Sequence, residues 1–531
     1  MDVEKNKRVA SVSPTYSNFK HVATTYNNLQ APEDQGGMIP QDALDWYYPA
    51  ERAWKKSLEL NTAETSPYTF DDRLWPYQSA DVNAMYQSKG LINANDRAMG
   101  KTVESIMASL AVYAERVLVV CPNMAMVTWQ EEVKNWTGED VTLVIGSREQ
   151  RIEKIRTNEN RFLVIGYGFL RTWIPDELAH PWDVIIFDEA HRLKNRKSQQ
   201  TQGAKALVGT HKWLLTGTPI RNSPDEIWSL LNILDPLAFP HYWPFVEQFC
   251  HVWTAKWGRQ IEGIKKESRQ RWAETISPYI ISRKKADYLK DLPEKLPEDI
   301  VYLDMTVKQK KMYDNIKDEM MAEVEAYNPD LYTATGPIIM APNTGVRAAR
   351  LRQITSSPML LGSNDVGAKI PAAVEIIQGY AERGEKVVVF TYFRNSVDLL
   401  REALEKKKIK SLGIHGGVRH LDILNSVAEF RNSEYTTCLI GTIGCMAESV
   451  NLQVAHVILF LDKSYVPGDN EQAKDRIHRP GQQRKCVYID LVVRNSVDVR
   501  IRKALEKKGR FLNDEERIRQ TFRETFIEEG T

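Results

Sequence analysis

Short apolar runs rich in β-branched residues recur in two blocks of this chain, each run followed by a stretch at helical spacing. In the first block they are Val117 to Cys121, Phe162 to Ile165, Val184 to Phe187 and Trp213 to Leu215; in the second, Val387 to Phe390, Cys438 to Ile440, Val457 to Leu461 and Val487 to Leu491. Unbroken apolarity over four or five residues marks a strand covered on both faces, the condition of a parallel sheet sandwiched by helices. The spacing therefore predicts an α/β chain with doubly wound parallel sheets in two separate domains. At 531 residues it also exceeds the size at which one core keeps growing, so two or three domains are expected. Ligands of such sheets lie at the carboxyl ends of the strands, and the chemistry-bearing residues fall there.

Asn95 to Thr102 reads NDRAMGKT and leads into a helix-like run from Val103 to Ala114. A Gly-Lys-Thr ahead of a helix lets backbone N–H groups face a phosphate, the Lys101 ammonium neutralise charge and the Thr102 hydroxyl hold Mg²⁺, a loop suited to ATP. An ordinary surface turn also accommodates the tripeptide. Downstream, the run Val184 to Phe187 enters Asp188-Glu189-Ala190-His191 directly. An acid there can hold the Mg²⁺ of a nucleotide while its neighbour orients or deprotonates attacking water; acids in that place also act as plain helix caps. Leu215 to Pro219 (LTGTP) sets the hydroxyls of Thr216 and Thr218 after another strand, able to bond the acidic element or merely to shape a Gly-Pro turn. Gln78, just before a helix, carries an amide that can read an adenine edge or can simply be solvated. In the second block, which has no phosphate loop of its own, Gln472 to Gln482 (QAKDRIHRPGQ) is read as a helix with Arg476 and Arg479 on one face. Guanidiniums so placed suit a transferring phosphoryl group, or a surface ion pair.

Charge narrows little. Lys and Arg number 71 against 70 Asp and Glu, a net +1, so a nucleic-acid surface requires local clustering. Such clustering occurs after residue 241, where Trp253, Lys256, Trp257, Arg259, Lys265, Lys266, Arg269, Arg271 and Trp272 precede Arg283-Lys284-Lys285; it suits phosphate contacts or an amphipathic helical insert with solvated charges. Cys121, Cys250, Cys438, Cys445 and Cys486 form no CxxC pair, which argues against a disulfide framework or a zinc site and fits a reducing compartment. The longest apolar runs fall short of a membrane span, and the N-terminal MDVEKNKR lacks the apolar core of a signal peptide.

Taken in order, LWPYQ, MGKT, DEAH, LTGTP and QAKDRIHRPGQ resemble the motif series of superfamily 2 ATPases, and specifically the Snf2 family of double-stranded DNA translocases. Val119 to Trp136 (VVCPNMAMVTWQEEVKNW), Asp188 to Asn195 (DEAHRLKN) and Leu351 to Pro358 (LRQITSSP) resemble further segments of that family. The resemblance covers roughly residues 70 to 505 and implies two RecA-like lobes with a helical insertion between them, ATP in the cleft and a DNA duplex crossing both. It implies boundaries at 1–70 for an arm and short helical segment, 71–240 for lobe 1, 241–370 for the insertion and a GSNDVG linker, 371–505 for lobe 2, and 506–531 for a helical tail. Gln78, Met99, Gly100, Lys101, Thr102 and Gln472 would bind the nucleotide, and Thr102 and Asp188 the Mg²⁺. Glu189, Lys101, Arg476 and Arg479 would be catalytic, and Thr216 and Thr218 would couple the sites.

The family's usual Asp-Glu-x-Gly-x-Gly-Lys-Thr is here Asn95-Asp96-Arg97-Ala98-Met99-Gly100-Lys101-Thr102, and its glycine-rich motif before the finger segment becomes Thr442 to Leu452 with one residue extra. Ala98 tolerates close backbone approach at negative φ and is strained otherwise, so slower turnover is an expectation. The expected activity is ATP-driven movement along double-stranded or branched DNA, with strand separation, a restriction-type motor or a non-hydrolysing DNA-binding scaffold as alternatives. The chain is expected to act as a monomer, away from membranes, in the cytoplasm or nucleoid, or in the nucleus of a eukaryote, and its compactness resembles phage or bacterial members.

Overall fold

The computed structural model describes residues 59–61, 63, 65–67, 70–172, 176–220, 223–255, 258–290, 292–327, 344–446 and 450–506. Most of the arm and short helical segment expected over residues 1–70, and the tail after residue 506, lie outside them. The chain divides into two compact units, with the crossing between Tyr288 and Leu289.

The first unit is built on a seven-stranded sheet. Its strands are β1 (Gly90–Asn93), β2 (Val117–Cys121), β3 (Val141–Leu143), β4 (Phe162–Gly166), β5 (Trp182–Asp188), β6 (Gly209–Leu215) and, after the two-stranded ribbon β7 (Cys250–Ala255) and β8 (Gly258–Ile264), β9 (Ile280–Ile281). The spatial order is β3-β4-β2-β5-β6-β1-β9, every pairing parallel. Alternation of side chains across the pleat explains the unbroken apolar runs. Val117, Val119, Val184, Ile186 and Trp213 face one core with helices Lys101–Ala111 and Met126–Thr137. Leu118, Val120, Ile185, Phe187 and Leu214 face the other with helices Glu226–Leu234 and Tyr242–Phe249. Each such side chain, fully buried, contributes roughly 1.5–3 kcal/mol.

The second unit repeats the plan. β10 (Lys295–Leu303), β11 (Val387–Thr391), β12 (Ser411–Ile414), β13 (Cys438–Thr442), β14 (Val457–Phe460) and β15 (Cys486–Val493) form a parallel sheet in the order β10-β15-β14-β11-β13-β12. Val387, Val389, Ile440 and Leu459 meet helices Lys369–Ala381 and Arg394–Lys406 on one face; on the other, Phe390 stacks on Phe460 with ring centroids 5.8 Å apart.

The stretch expected as a helical insertion is only partly helical. Helix Tyr242–Phe249 is followed by the antiparallel ribbon β7–β8, with Val252 opposite Ile261 and Trp253 opposite Gln260. β-Branched and aromatic residues in alternation, with Gly258 at φ 112, favour a hairpin there over a helix. The chain then returns to the first sheet through β9. The segment GSNDVG is a packed turn of the second unit: Gly362 and Gly367 lie at φ 82 and 73, and the Thr306 hydroxyl donates to Asp365. The passage between units lies well before it, at residues 288 and 289.

Candidate functional site

The phosphate-type loop joins β1 to helix Lys101–Ala111. Gly100 caps that helix in the left-handed region, φ 94 and ψ 21, with no side-chain cap. A Cβ at this position would lie 2.2 Å from Gln78 Nε2, so glycine is required both for its φ and for its lack of a side chain. The first N–H groups of the helix are without intrahelical partners, and the helix dipole adds partial positive charge. Such a helix start fits an anionic ligand. Ala98 also has a positive φ, 64, the strained alternative for an L residue. The Lys101 ammonium donates to the Asn95 and Asp96 carbonyls at 2.6 and 2.8 Å. Burial lowers its pKa, against the raising influence of Glu189, Glu104 and Asp96.

Gln78 is buried and belongs to the loop's support. It sits in helix Pro76–Gln87, where its Oε1 accepts from Trp75 N–H at 3.0 Å and its Nε2 donates to the Met99 carbonyl at 3.1 Å. Tyr77 hydroxyl donates to the same carbonyl at 2.9 Å. The solvated alternative for Gln78 is thereby removed, and one amide proton and one oxygen lone pair remain for other partners.

Asp188 ends β5. Its Oδ2 accepts from Trp129 Nε1 at 3.0 Å and its Oδ1 from Glu189 N–H at 2.9 Å. Burial, reinforced by the Glu189 charge, pushes its carboxyl up to about 6, while Trp129 and Lys101 oppose the rise. Glu189 follows in the left-handed region, φ 52 and ψ 48, a conformation that turns the chain sharply out of the strand. Its Oε2 lies 3.1 Å from His191 Nδ1. Burial alone would raise this carboxyl, but His191, Arg97 and Lys101 overcome it and hold the group below the usual carboxylate range. Thr216 Oγ1 lies 3.4 Å from the same His191 nitrogen and accepts from Thr218 N–H at 3.2 Å. Thr216 thus meets the acidic element through the histidine. Lys101, Asp188, Glu189 and Thr216 are brought together at the carboxyl ends of adjacent strands.

The second unit holds Gln472, Arg476 and Arg479. Helix Pro467–Lys474 stops before both arginines, and the chain continues through them in turns and bends, so the expected shared helical face does not form. Arg476 is buried, with Nε donating to the Gln472 carbonyl at 3.2 Å and Nη1 to the Val450 carbonyl at 3.5 Å. Arg479 is half-buried, its Nε donating to the Asp475 carbonyl at 3.0 Å. Gln482 Nε2 ties these turns to Gln453, Ala455 and Ile477 carbonyls at 3.0, 2.9 and 3.1 Å.

A buried polar network beneath the loop escaped the sequence reading. Asn93 Nδ2 donates to Glu104 Oε2 at 2.6 Å, Asn95 Nδ2 to Asp81 Oδ2 at 2.7 Å, and Arg283 Nη2 pairs with Asp81 Oδ1 at 2.7 Å. Arg283 and Lys285, candidates for phosphate contacts of a nucleic acid, are buried here instead, as is Trp272. Only the run Arg283-Lys284-Lys285 marked the place, and nothing in it tells a buried arginine from a solvated one. Arg97 was likewise unmarked: a Cβ on Gly217 would meet its Cγ at 3.0 Å, which sets this loop residue against LTGTP.

Residues 19–358 match the SNF2-related domain and residues 368–481 the helicase conserved C-terminal domain. The chain is similar to an uncharacterized ATP-dependent helicase, MG018, of Mycoplasma genitalium, 27% identical over 428 residues, covering 78% of this chain and 39% of that protein. It is 25% identical over 497 residues to chromodomain-helicase-DNA-binding protein 7 of Homo sapiens, covering 84% of this chain and 16% of that one. With the ISWI chromatin-remodeling complex ATPase ISW1 of Saccharomyces cerevisiae it shares 25% identity over 488 residues, 86% of this chain and 41% of the other. The chain thus spans less than half the length of each of these relatives. A solved Sulfolobus solfataricus SWI2/SNF2 ATPase core in complex with dsDNA is similar over 85% of this chain and 94% of that one, at 24% identity and TM-score 0.40. With a match over residues 19–358, more than half its length, and a loop, acidic element and threonine loop gathered on one sheet, the chain belongs to the SNF2-related domain family.

Proposed function

We propose that this protein is a DNA-dependent ATPase that moves along or remodels double-stranded DNA. The observation that carries the reading is the convergence of Lys101, Asp188, Glu189 and Thr216 at one end of the first sheet: Glu189 is held ionised in the field of Lys101 and Arg97, and its neighbour Asp188 is buried beside it. In this reading Gly100, Lys101 and the first turn of the following helix receive the phosphates of ATP, and Gln78 and Met99 support the loop. Thr102 and Asp188 supply hard oxygen donors that fit Mg²⁺, an ion usually held by one or two protein oxygens together with phosphates. When bound, that ion neutralises charge on the phosphates. Glu189 orients the attacking water and accepts its proton. Thr216 and Thr218 report the state of the site through His191. Gln472, Arg476 and Arg479 keep the roles that the resemblance implies, Gln472 in nucleotide binding and the arginines as fingers on the transferring phosphoryl group.

ATP turnover measured against single strands, duplexes, forks and four-way junctions tests the reading. Duplex is expected to stimulate turnover. Lys101→Ala and Glu189→Gln are each expected to remove it, by about 10²–10⁴-fold for the general base; unchanged turnover in Glu189→Gln sinks the assigned role. Displacement of a triplex strand with little duplex unwinding marks a translocase, and release of a labelled strand marks a helicase. The positive φ of Ala98, 64, favours a second reading, a DNA-binding scaffold that does not hydrolyse ATP. Turnover absent with every DNA would support it.

A further inference from the structure

Ile281 to Tyr288 is the last stretch of the first unit before the chain passes to the second at Leu289. It is bonded along the phosphate loop almost residue by residue. Ala94 N–H donates to the Ile281 carbonyl at 2.8 Å and Asp96 N–H to the Arg283 carbonyl at 3.0 Å. In return Arg283 N–H donates to Asn95 Oδ1 at 2.9 Å and Lys285 N–H to Asp96 Oδ2 at 2.8 Å. The Arg283 side chain extends the contact, Nε to Asp81 Oδ1 at 2.8 Å and Nη1 to the Tyr288 hydroxyl at 2.9 Å. The Tyr288 ring lies 5.0 Å from that of Tyr77, whose hydroxyl holds the Met99 carbonyl at 2.9 Å.

Fixing a short exit segment to a sheet would need only the parallel pairing of β9 with β1 and the buried Arg283–Asp81 pair. Here the bonds go further, to the two residues whose carbonyls hold the Lys101 ammonium, Asn95 and Asp96. A phosphate that draws the ammonium away removes two donors from those peptides, while their amide and side-chain bonds to Arg283 and Lys285 stay in place. Those three hydrogen bonds and a fourth from Ala94 N–H to the Ile281 carbonyl, of about 0.5–1.5 kcal/mol each, tie the loop to the exit segment so that the two shift together.

We propose that Ile281–Tyr288 is the positioning element of the phosphate loop, with Arg283 and Tyr288 its positioning residues, and that it delivers the loop's nucleotide state to the point where the chain leaves the first unit. This rests on reading the loop as a nucleotide site. The coupling needs a physical element that both ends bias, and the shared Asn95–Asp96 peptide is that element.

Hydrogen exchange of the full chain, read at the amides of Lys101, Arg283 and Lys285 with and without ADP, tests it alongside ATP turnover and triplex displacement. Bound ADP is expected to change exchange at Arg283 and Lys285 by about threefold or more. In Tyr288→Phe and, more strongly, Tyr288→Ala, triplex displacement per ATP hydrolysed is expected to fall about fivefold. ADP that alters exchange at Lys101 and leaves Arg283 and Lys285 unchanged overturns the proposal alone. So does full displacement per ATP in Tyr288→Phe and Tyr288→Ala. A parent chain that neither binds ADP nor turns over ATP with any DNA overturns the nucleotide reading, and this proposal with it.

Discussion

Ala98 occupies a backbone region where its Cβ crowds the following carbonyl, at a cost of about 1–2 kcal/mol for an L residue. Ala98→Gly is therefore expected to stabilise the first unit by about 1 kcal/mol, less what glycine loses in unfolded-chain entropy, and to raise ATP turnover. Denaturant unfolding followed by the tryptophans of that unit, with a turnover assay, checks both. Arg97 helps hold the Glu189 carboxyl below the usual range. A group lowered in this way stays ionised into acid, so Arg97→Met, which removes the cation, is expected to raise the Glu189 carboxyl, and a Glu189 titration unmoved in the variant would rule out that electrostatic role. The gathering of Lys101, Asp188 and Glu189 at the strand ends was legible in the sequence, because a lysine ahead of a helix and acids after an apolar run mark those places by residue type and short spacing. The φ of Ala98 and the seat of Arg97 against Gly217 were not, since each is decided by the tertiary position of residues far along the chain.

Interior strands with long apolar runs were readable, whereas the short interior strand β1 (Gly90–Asn93) and the strands at an edge were not. β2, β4, β5, β11, β13 and β14 stand where continuous apolar runs stood, whereas β10 (Lys295–Leu303) alternates and carries Pro297, Glu298 and Asp299. Its charges are structural. Glu298 meets Lys463 at 2.7 Å and Lys474 at 2.9 Å. Burial alone would raise this carboxyl, but the two ammonium groups bring it down to about 2. A depressed carboxylate contributes stability that is present above its unfolded pKa, about 4.3, and is lost as pH falls toward the folded value. The second unit is thus expected to lose up to roughly 3 kcal/mol from this group between about pH 4.5 and pH 2. Acid titrations of parent and Glu298→Gln, the variant being the flatter, check the sign. The interleaved basic and aromatic residues of the ribbon β7–β8 suit an amphipathic helix as well as a hairpin, and only the antiparallel pairing of its two strands decides between them.

Across the whole molecule, two units with separate cores mean that a substitution in one leaves the other's unfolding in place. Lys369 is buried between Asp462 at 3.1 Å and Asp498 at 2.9 Å in the second unit. Lys369→Met leaves two buried carboxylates without their cation and is expected to cost about 3–5 kcal/mol. Calorimetry should show one transition lowered and one unmoved; a common shift would mean that the units unfold together. The two-domain plan was legible from the repeated apolar blocks, and the passage between them was not. Residues 241–288 return to the first sheet through the two residues of β9, too short to register as a strand in any window.

The second sheet has an order of assembly written into it. Among the described residues β10 is paired only with β15, so the strand made first is the one that waits for the strand made last. A ribosome releases the first unit's strands in full by residue 281, but it must reach Val493 before Lys295 to Leu303 can dock. Until then that edge needs a chaperone or its own charged residues to stay out of the wrong partnerships.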